Sequence, residues 1–295
     1  MGWVDRQLPE RDEVFLDHVG FFVENMDEAA RRFGRLGFTV SEQNTHFNAN
    51  EAGELVPAGT VNRLITFRAG YLEVLAASSD TPLADQLRRS LQRYRGLHLI
   101  ALGHADVAAI EPRIRAEGLE LQPIVSLRRP IETPEGEVTV GFTVLRTAPG
   151  VMAEGRVQYC QHLTPEHVWR PGMSDHANAA EALTEMLIVA EDVEETVRRY
   201  ERFSLRPARR EDGAAVIELD RGRLLIADAD VAIRKLPGMS IPSLPYCAAV
   251  TLRSSDLDRT AKVLAANDVE AVQRFPGQLA IGPGDGLGAW ILFTG

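Results

Sequence analysis

Residues 15–38 read FLDHVGFFVENMDEAARRFGRLGF, and they set a pattern that the rest of the chain repeats. The apolar run from Phe15 to Val23 has the character of a buried strand. It gives way to an acid-started segment, Asp27 to Leu36, whose apolar residues recur at helical spacing. Met26, Ala30, Phe33 and Leu36 form one stripe, with Arg31, Arg32 and Arg35 on the polar side. His18 stands near the front of the strand, where Val or Ile would pack better. It is either a core histidine or a metal ligand, and what lies at the same depth decides between them.

The same pattern is written again further on. Residues 17–38 lie over 184–205, TEMLIVAEDVEETVRRYERFSL, without a gap. Glu24, Glu28, Arg31, Arg32 and Arg35 then coincide with Glu191, Glu195, Arg198, Arg199 and Arg202, and the apolar stripe is kept. Two fainter copies are HLIALGHADVAAIEPRIRAEGL at 98–119, with a helix start at Asp106, and AAVTLRSSDLDRTAKVLAANDV at 248–269, with a cap at Ser255 or Asp256. Short β-like runs follow each helix, such as VNRLITFR and GYLEVLA after the first. The unit is strand, helix, then two or three strands. One unit cannot bury both faces of its own sheet, so units are expected to pair. That gives an α+β fold with an N-terminal domain at 14–162, a connector at 163–181 rich in Pro, His and Asp, and a C-terminal domain at 182–295. LADQLRRSLQRY, 83–94, reads as an extra amphipathic helix between the first two units.

Composition bounds the function. The chain has 295 residues, 45% hydrophobic and 25% charged, with a formal net charge of -10, which argues against a broad nucleic-acid footprint. The arginine groups around Arg31 and Arg198 fall on helix faces expected to be solvated. Two cysteines, Cys160 and Cys247, form no CxxC pair, which fits a reducing compartment. The charged N-terminus has no apolar core of a signal peptide, and no apolar run is long enough to span a bilayer, so a cytoplasmic protein is expected. The expected partners are a small-molecule substrate and a second copy of the chain in a homodimer, with no nucleic acid and no membrane.

DHVGFFVENMDEAARRFGRLGF together with NRLITFRAGYLEVLA resembles the vicinal-oxygen-chelate superfamily of glyoxalase I, bleomycin-resistance proteins and extradiol dioxygenases, and within it the glyoxalase-like proteins. The resemblance covers most of the chain; the first unit matches well, the second and fourth in pattern only. It implies four βαβββ modules paired into two glyoxalase-like domains, each a curved mixed-sheet cup with flanking helices. It also implies one divalent metal ion (Zn, Mn, Fe or Ni) held by residues on the first and last strands of each module. Carried over by position, the ligands are His18 and Glu73 from module one, and His98 and Gln158 from module two. A glutamate between Leu72 and Val74 is costly to bury unless paired or ligated, which supports Glu73 independently. His98 depends on register: aligned on helix starts or on helix-ending glycines, Leu97 or Leu99 falls under His18, and a slip of one residue turns His98 to the other face.

The implied activity is that of a metal-dependent lyase or isomerase acting on a small oxygenated metabolite, with Glu73 also serving as general base. A metal-free protein that sequesters a small molecule is the alternative, a largely structural protein whose cups are filled by side chains the third, and an Fe(II) dioxygenase ranks below lyase or isomerase chemistry. All seven histidines precede residue 177, so modules three and four cannot build a histidine site alone, unlike extradiol dioxygenases with a C-terminal iron site. Glu185 and Leu225 stand where His18 and Glu73 stand in the first domain, so the second half is expected to be a scaffold, lid or dimerisation half. The segment 41–63, SEQNTHFNANEAGELVPAGTVNR, is expected to be a loop covering the ligand, with His46, Phe47, Asn62 and Arg63 as substrate-binding residues and Arg63 as a clamp for a carboxylate or phosphate. Trp169 is expected to pack the two domains together, with His162 near the mouth of the first cup.

Overall fold

The opening segment folds as strand β1 (Phe15–Phe22), buried throughout, followed by helix α1 (Met26–Arg35). The helix begins one residue earlier than its acidic start implied, because Asn25 caps it: Asn25 Oδ1 accepts from the Glu28 amide at 2.9 Å. Asp27 and Glu28 lie in the first turn and Arg32 and Arg35 in the last, both favourable to the helix dipole. Met26, Ala29 and Phe33 are the buried residues of the stripe, Ala29 taking the place expected of Ala30. The computed structural model describes residues 6–49, 54–133 and 136–295.

Strands β2 (Asn44–Ala49), β3 (Leu55–Thr66) and β4 (Tyr71–Ala77) complete the first module. The segment expected as a covering loop is therefore mostly a hairpin, with Thr45 opposite Val61 and Asn44 opposite Asn62; its residues 50–53 lie outside the described residues. The β-branched and aromatic residues of 45–61 suit a ladder, which pairs backbone groups that a loop would leave to water. Helix α2 (Pro82–Arg93) leads to module two: β5 (Gly96–Gly103), α3 (Val107–Ala116), β6 (Val125–Thr133), β7 (Gly136–Arg146) and β8 (Arg156–His162).

Module three is β9 (Ala180–Val189), α4 (Val193–Ser204), β10 (Ala208–Glu211), β11 (Ala214–Glu218) and β12 (Arg223–Ala227). Helix α5 (Ala229–Lys235) precedes module four: β13 (Tyr246–Ser254), α6 (Leu257–Ala266), β14 (Ala271–Phe275), β15 (Gln278–Ile281) and β16 (Trp290–Thr294). Asp106, Asp192 and Asp256 cap α3, α4 and α6 through their side chains, so Asp256 and not Ser255 starts the last helix.

In each module the first strand runs parallel to the last, and the first strands of paired modules run antiparallel, as β1 does to β5 and β9 to β13. The N-terminal sheet has the order β2-β3-β4-β1-β5-β8-β7-β6, and the C-terminal sheet β10-β11-β12-β9-β13-β16-β15-β14. The two meet where β13 touches β5 at Cys247 and Leu97. The molecule is thus an α+β structure of four βαβββ modules in two glyoxalase-like domains.

The halves share one apolar core, in which Phe38 stacks on Phe293 at 6.1 Å and Tyr159 Oη donates to the Phe203 carbonyl at 3.1 Å. Arg199, expected on a solvated helix face, is buried there. Both its terminal nitrogens bond the fully buried Glu154, at 2.7 and 2.8 Å, because its face of α4 packs on module two and not against water. Trp169 does not bridge the domains. It packs on Tyr71 and His162, with ring centroids 5.8 and 4.7 Å away, against the N-terminal sheet. The connector links the domains through His176, edge-on to Phe38 and Phe67 with its carbonyl accepting from Arg259 of α6, and through Asn178, which donates to the Leu36 carbonyl at 2.8 Å and whose carbonyl accepts from Thr260 at 2.7 Å. No helix among the described residues is long and apolar enough to cross a membrane.

Candidate functional site

The inner face of the N-terminal sheet encloses a cavity with an empty volume of ≈ 780 Å³, open mouth included. Strand alternation decides what lines it. On β4, Tyr71, Glu73 and Leu75 face in; on β3, Asn62 and Leu64; on β8, Arg156, Gln158 and Cys160. His18 faces in from β1, opposite Tyr71, with the two rings stacked at 4.3 Å. Two residues on, Gly20 sits opposite Glu73 and Leu99, and a Cβ there would lie 2.8 Å from the Leu99 Cβ.

His18 is held from behind. The β1–β5 register shifts between Leu16 and His18, and this irregularity brings the neighbouring Asp17 carboxylate to the imidazole instead of away from it. Asp17 Oδ2 lies 2.6 Å from His18 Nδ1, and His162 Nε2 lies 3.0 Å from the same oxygen. Burial alone would raise the fully enclosed Asp17 carboxyl, but His162 and His18 overcome that and hold it well below the usual carboxylate range. With Nδ1 committed to Asp17, Nε2 is the His18 atom that turns to the cavity, 3.8 Å from Glu73 Oε2.

Glu73 is the hub of the polar wall. Asn62 Nδ2 donates to its Oε1 at 2.6 Å, and His46 Nε2 stands 3.6 Å from the same oxygen, with His46 Nδ1 on the Thr60 hydroxyl at 2.9 Å. His46 and Phe47, on neighbouring positions of β2, both line the cavity. Across from them, Gln158 is 7% exposed and its Oε1 has no hydrogen-bond partner. Arg146 and Arg156 line the same wall: Arg146 is the cross-strand partner of Gln158, and Arg156 lies two residues before it on β8.

Two expected site residues lie elsewhere. His98 does not line the cavity; its Nε2 bonds the Tyr94 carbonyl at 2.8 Å and its ring stacks on Tyr94 at 4.0 Å. The register of β5 on β8 explains this, since Leu99 opposite Arg156 corresponds to His18 opposite Tyr71. Leu99 therefore takes the inward position and His98 the outward one. Burial lowers the His98 imidazole to about 4, so it is neutral at physiological pH. Arg63 is also turned away, because its neighbours Asn62 and Leu64 face in; it donates to the Ser41 carbonyl at 2.8 Å and stands 3.6 Å from Asp27.

Sequence reasoning missed Asp17, Arg146 and Arg156 as parts of the site, and it set His162 near the mouth of the cup, where the structure has it bonded to Asp17 behind His18. A signal existed for Arg156: once Gln158 is taken as inward, its i−2 neighbour faces inward too.

The donor set suits a divalent cation. His18 Nε2, the Glu73 carboxylate and the unpartnered Gln158 Oε1 line one cavity, and three protein donors with open positions are what a chemically active metal site requires. A second group, Asp17, Cys160 and His162, has ligand atoms all within 4.8 Å of one another. Burial pushes the Cys160 thiol well up, and Asp17 already accepts from two imidazoles, so these residues serve as the backing of His18.

Among the described residues the C-terminal cup has no equivalent. Glu185, in the place of His18, is bound by Arg223 at 2.7 Å and Thr251 at 3.1 Å. Leu225, Ala249 and Leu292 hold the remaining inward positions and pack with Leu236 and Met239, which follow α5.

Solved structures share this architecture. A hypothetical protein from Staphylococcus aureus superposes with a TM-score of 0.65 at 12% identity, covering 95% of this chain and 98% of its own. A triple mutant of 4-hydroxymandelate synthase from Streptomyces coelicolor gives 0.57 at 15% identity, over 96% and 93%. A xylose isomerase-like TIM barrel/4-hydroxyphenylpyruvate dioxygenase fusion protein gives 0.58 at 11% identity, over 95% of this chain and 49% of that one. At such identities the likeness is one of fold. No curated protein sequence matches the chain. The model of the glyoxalase-like domain family matches residues 16–204, across β1 to the end of α4 and thus the whole of the cavity. The chain belongs to the glyoxalase-like domain family.

Proposed function

We propose that the chain is a divalent-metal-dependent enzyme of lyase or isomerase type, acting on a small oxygenated metabolite in the N-terminal cavity. One observation carries this reading: a histidine, a glutamate and an unpartnered glutamine, each on a different strand, line the same cavity, with the histidine fixed by a buried carboxylate. A cation held by His18, Glu73 and Gln158 would supply Lewis-acid polarisation of a chelating substrate. Asn62, by its bond to Glu73 Oε1, orients that carboxylate and leaves Oε2 toward His18. Glu73 is the base that takes a proton from the substrate carbon, and His46, 3.6 Å from it, passes that proton on. Phe47 and the leucines of the wall keep water from the reacting atoms.

The test is hydrogen exchange at carbon. Protein supplied with Mn, Ni, Zn or Fe(II) is incubated in deuterated water with 2-hydroxy ketones and 2-keto acids, and deuterium incorporation beside the carbonyl is followed by NMR. Exchange that disappears in Glu73→Gln and His18→Ala supports the proposal. Absence of exchange across the panel, with metal bound, removes the lyase or isomerase assignment.

A second reading has an observation of its own. Leu99 fills the inward position that mirrors His18, so the donor set is smaller than two full modules would provide. A metal-free protein that sequesters a small molecule fits that set, and metal content separates the two.

A further inference from the structure

Arg146 and Arg156 are the unusual feature of the cavity. Both reach it from the wall opposite His46, and no carboxylate among the described residues forms an ion pair with either. Arg146 makes no side-chain hydrogen bond there and its Nε is buried without a partner; Arg156 makes one bond, to the neutral Gln86 amide oxygen at 3.2 Å. Gln158 lies beside both, with its own Oε1 unpartnered. A guanidinium offers five donors, and enclosing one without an anion is costly. Two side by side repel each other as well.

The sign of the cavity is at odds with the chain. The protein carries a formal net charge of -10, yet the described charged residues of this wall are Arg128, Arg146 and Arg156 against Glu73 alone. Around the arginines the lining is apolar, with Leu75, Leu83, Leu99, Phe142 and Val144.

We infer that the ligand of this cavity is an organic anion with an apolar body, its carboxylate or phosphate head held by Arg146 and Arg156 and its body against the leucine and phenylalanine side chains. The inference rests on the cavity being the substrate site proposed above and names the class of substrate. It assigns the specificity role to two arginines of module two, in place of Arg63, which faces away. Bidentate guanidinium contacts suit either head group.

Calorimetric titration of the chelator-treated and the metal-supplied full chain with phenylacetate, phenyl phosphate and neutral phenylacetamide tests it. At least one anion binds about tenfold or more tighter than the amide, and the ratio of the two anions identifies the head group. Arg156→Gln and Arg146→Gln weaken the anion about tenfold or more and leave the amide unchanged, whereas Arg63→Gln, at an arginine turned away from the cavity, leaves anion binding to the chelator-treated protein within about twofold. Circular dichroism and thermal unfolding establish that each variant is folded. Arg156, only partly buried, carries the test alone if Arg146→Gln does not fold. The inference is overturned if no anion binds, if the amide binds as tightly, or if the folded arginine variants bind the anion like the wild type. Anion binding that persists in a chain that never takes up metal upholds it and removes only the metalloenzyme assignment.

Discussion

His18 Nδ1 stands 2.6 Å from Asp17 Oδ2, so a buried carboxylate fixes which nitrogen of His18 faces the cavity. This links an irregularity in a strand to the chemistry of the site. Asp17→Asn keeps the shape but removes the charge that orients His18 and His162. It should lower metal affinity by about 10- to 100-fold, the range for partners behind a ligating histidine. It should also destabilise the fold by about 3–5 kcal/mol, as breaking buried pairs does. Metal titration and urea unfolding of the variant check both; unchanged affinity would mean that His18 needs no such support.

The Arg199–Glu154 pair predicts how the halves are held. Glu154 is fully buried, and Arg199 is its bidentate partner across the domain interface. Arg199→Met strands that carboxylate and should cost about 3–5 kcal/mol. Replacing both residues with apolar ones of similar volume should restore most of it. Equal losses in the single and double variants, measured by urea unfolding, would show that packing and not charge is at stake.

How much of this was legible in the sequence differs by residue. The modules were, because their signals are local: Asp106 and Asp192 cap where acid precedes an apolar stripe, and residues 17–38 align with 184–205 without a gap, keeping the stripe and the same charged positions. His98 was not, because its face depends on how β5 registers with β1 and β8, and a shift of one residue reverses every side chain. Asn62 and Arg63 were both expected at the ligand, yet neighbours on a strand face opposite ways; taking 41–63 as a loop concealed this. Asp17 was hidden for the opposite reason. Alternation alone places it opposite His18, and only the shift between Leu16 and His18 brings the two together.

Gly20 predicts a steric limit beside the site. A Cβ there would lie 2.8 Å from Leu99 Cβ and 3.1 Å from a Leu75 methyl, so Gly20→Ala must push β5 away from β1. Overpacking of this kind costs about 1–3 kcal/mol. The Gly20→Ala, Leu99→Gly double variant should be less destabilised relative to Leu99→Gly than Gly20→Ala is relative to wild type, as a thermal-unfolding cycle would measure. Equal shifts would locate the strain elsewhere.

Acid should weaken the fold through histidines remote from the cavity. Burial lowers both His98 and His176 to about 4 in the folded protein, against 6.5 as the ordinary value. The unfolded chain therefore binds more protons between these limits. The stability they confer is complete above about pH 6.5 and is lost as the pH falls toward 4, on the order of 3 kcal/mol for each. Urea unfolding at a series of pH values should show this slope, reduced in His176→Gln. A flat profile from about pH 6.5 to 4.5 would contradict the burial argument.

The most direct test of the metal-site account is metal content, measured by elemental analysis on protein purified without chelator or a metal-affinity tag. Wild type is compared with His18→Ala, Glu73→Ala, Gln158→Ala and His98→Ala. The account predicts near-stoichiometric divalent metal in the wild type and in His98→Ala, its loss in the His18 and Glu73 variants, and a weakened level in the Gln158 variant. No metal in the wild type after supply of Mn, Fe, Ni and Zn in turn, or metal that survives removal of both His18 and Glu73, would contradict it.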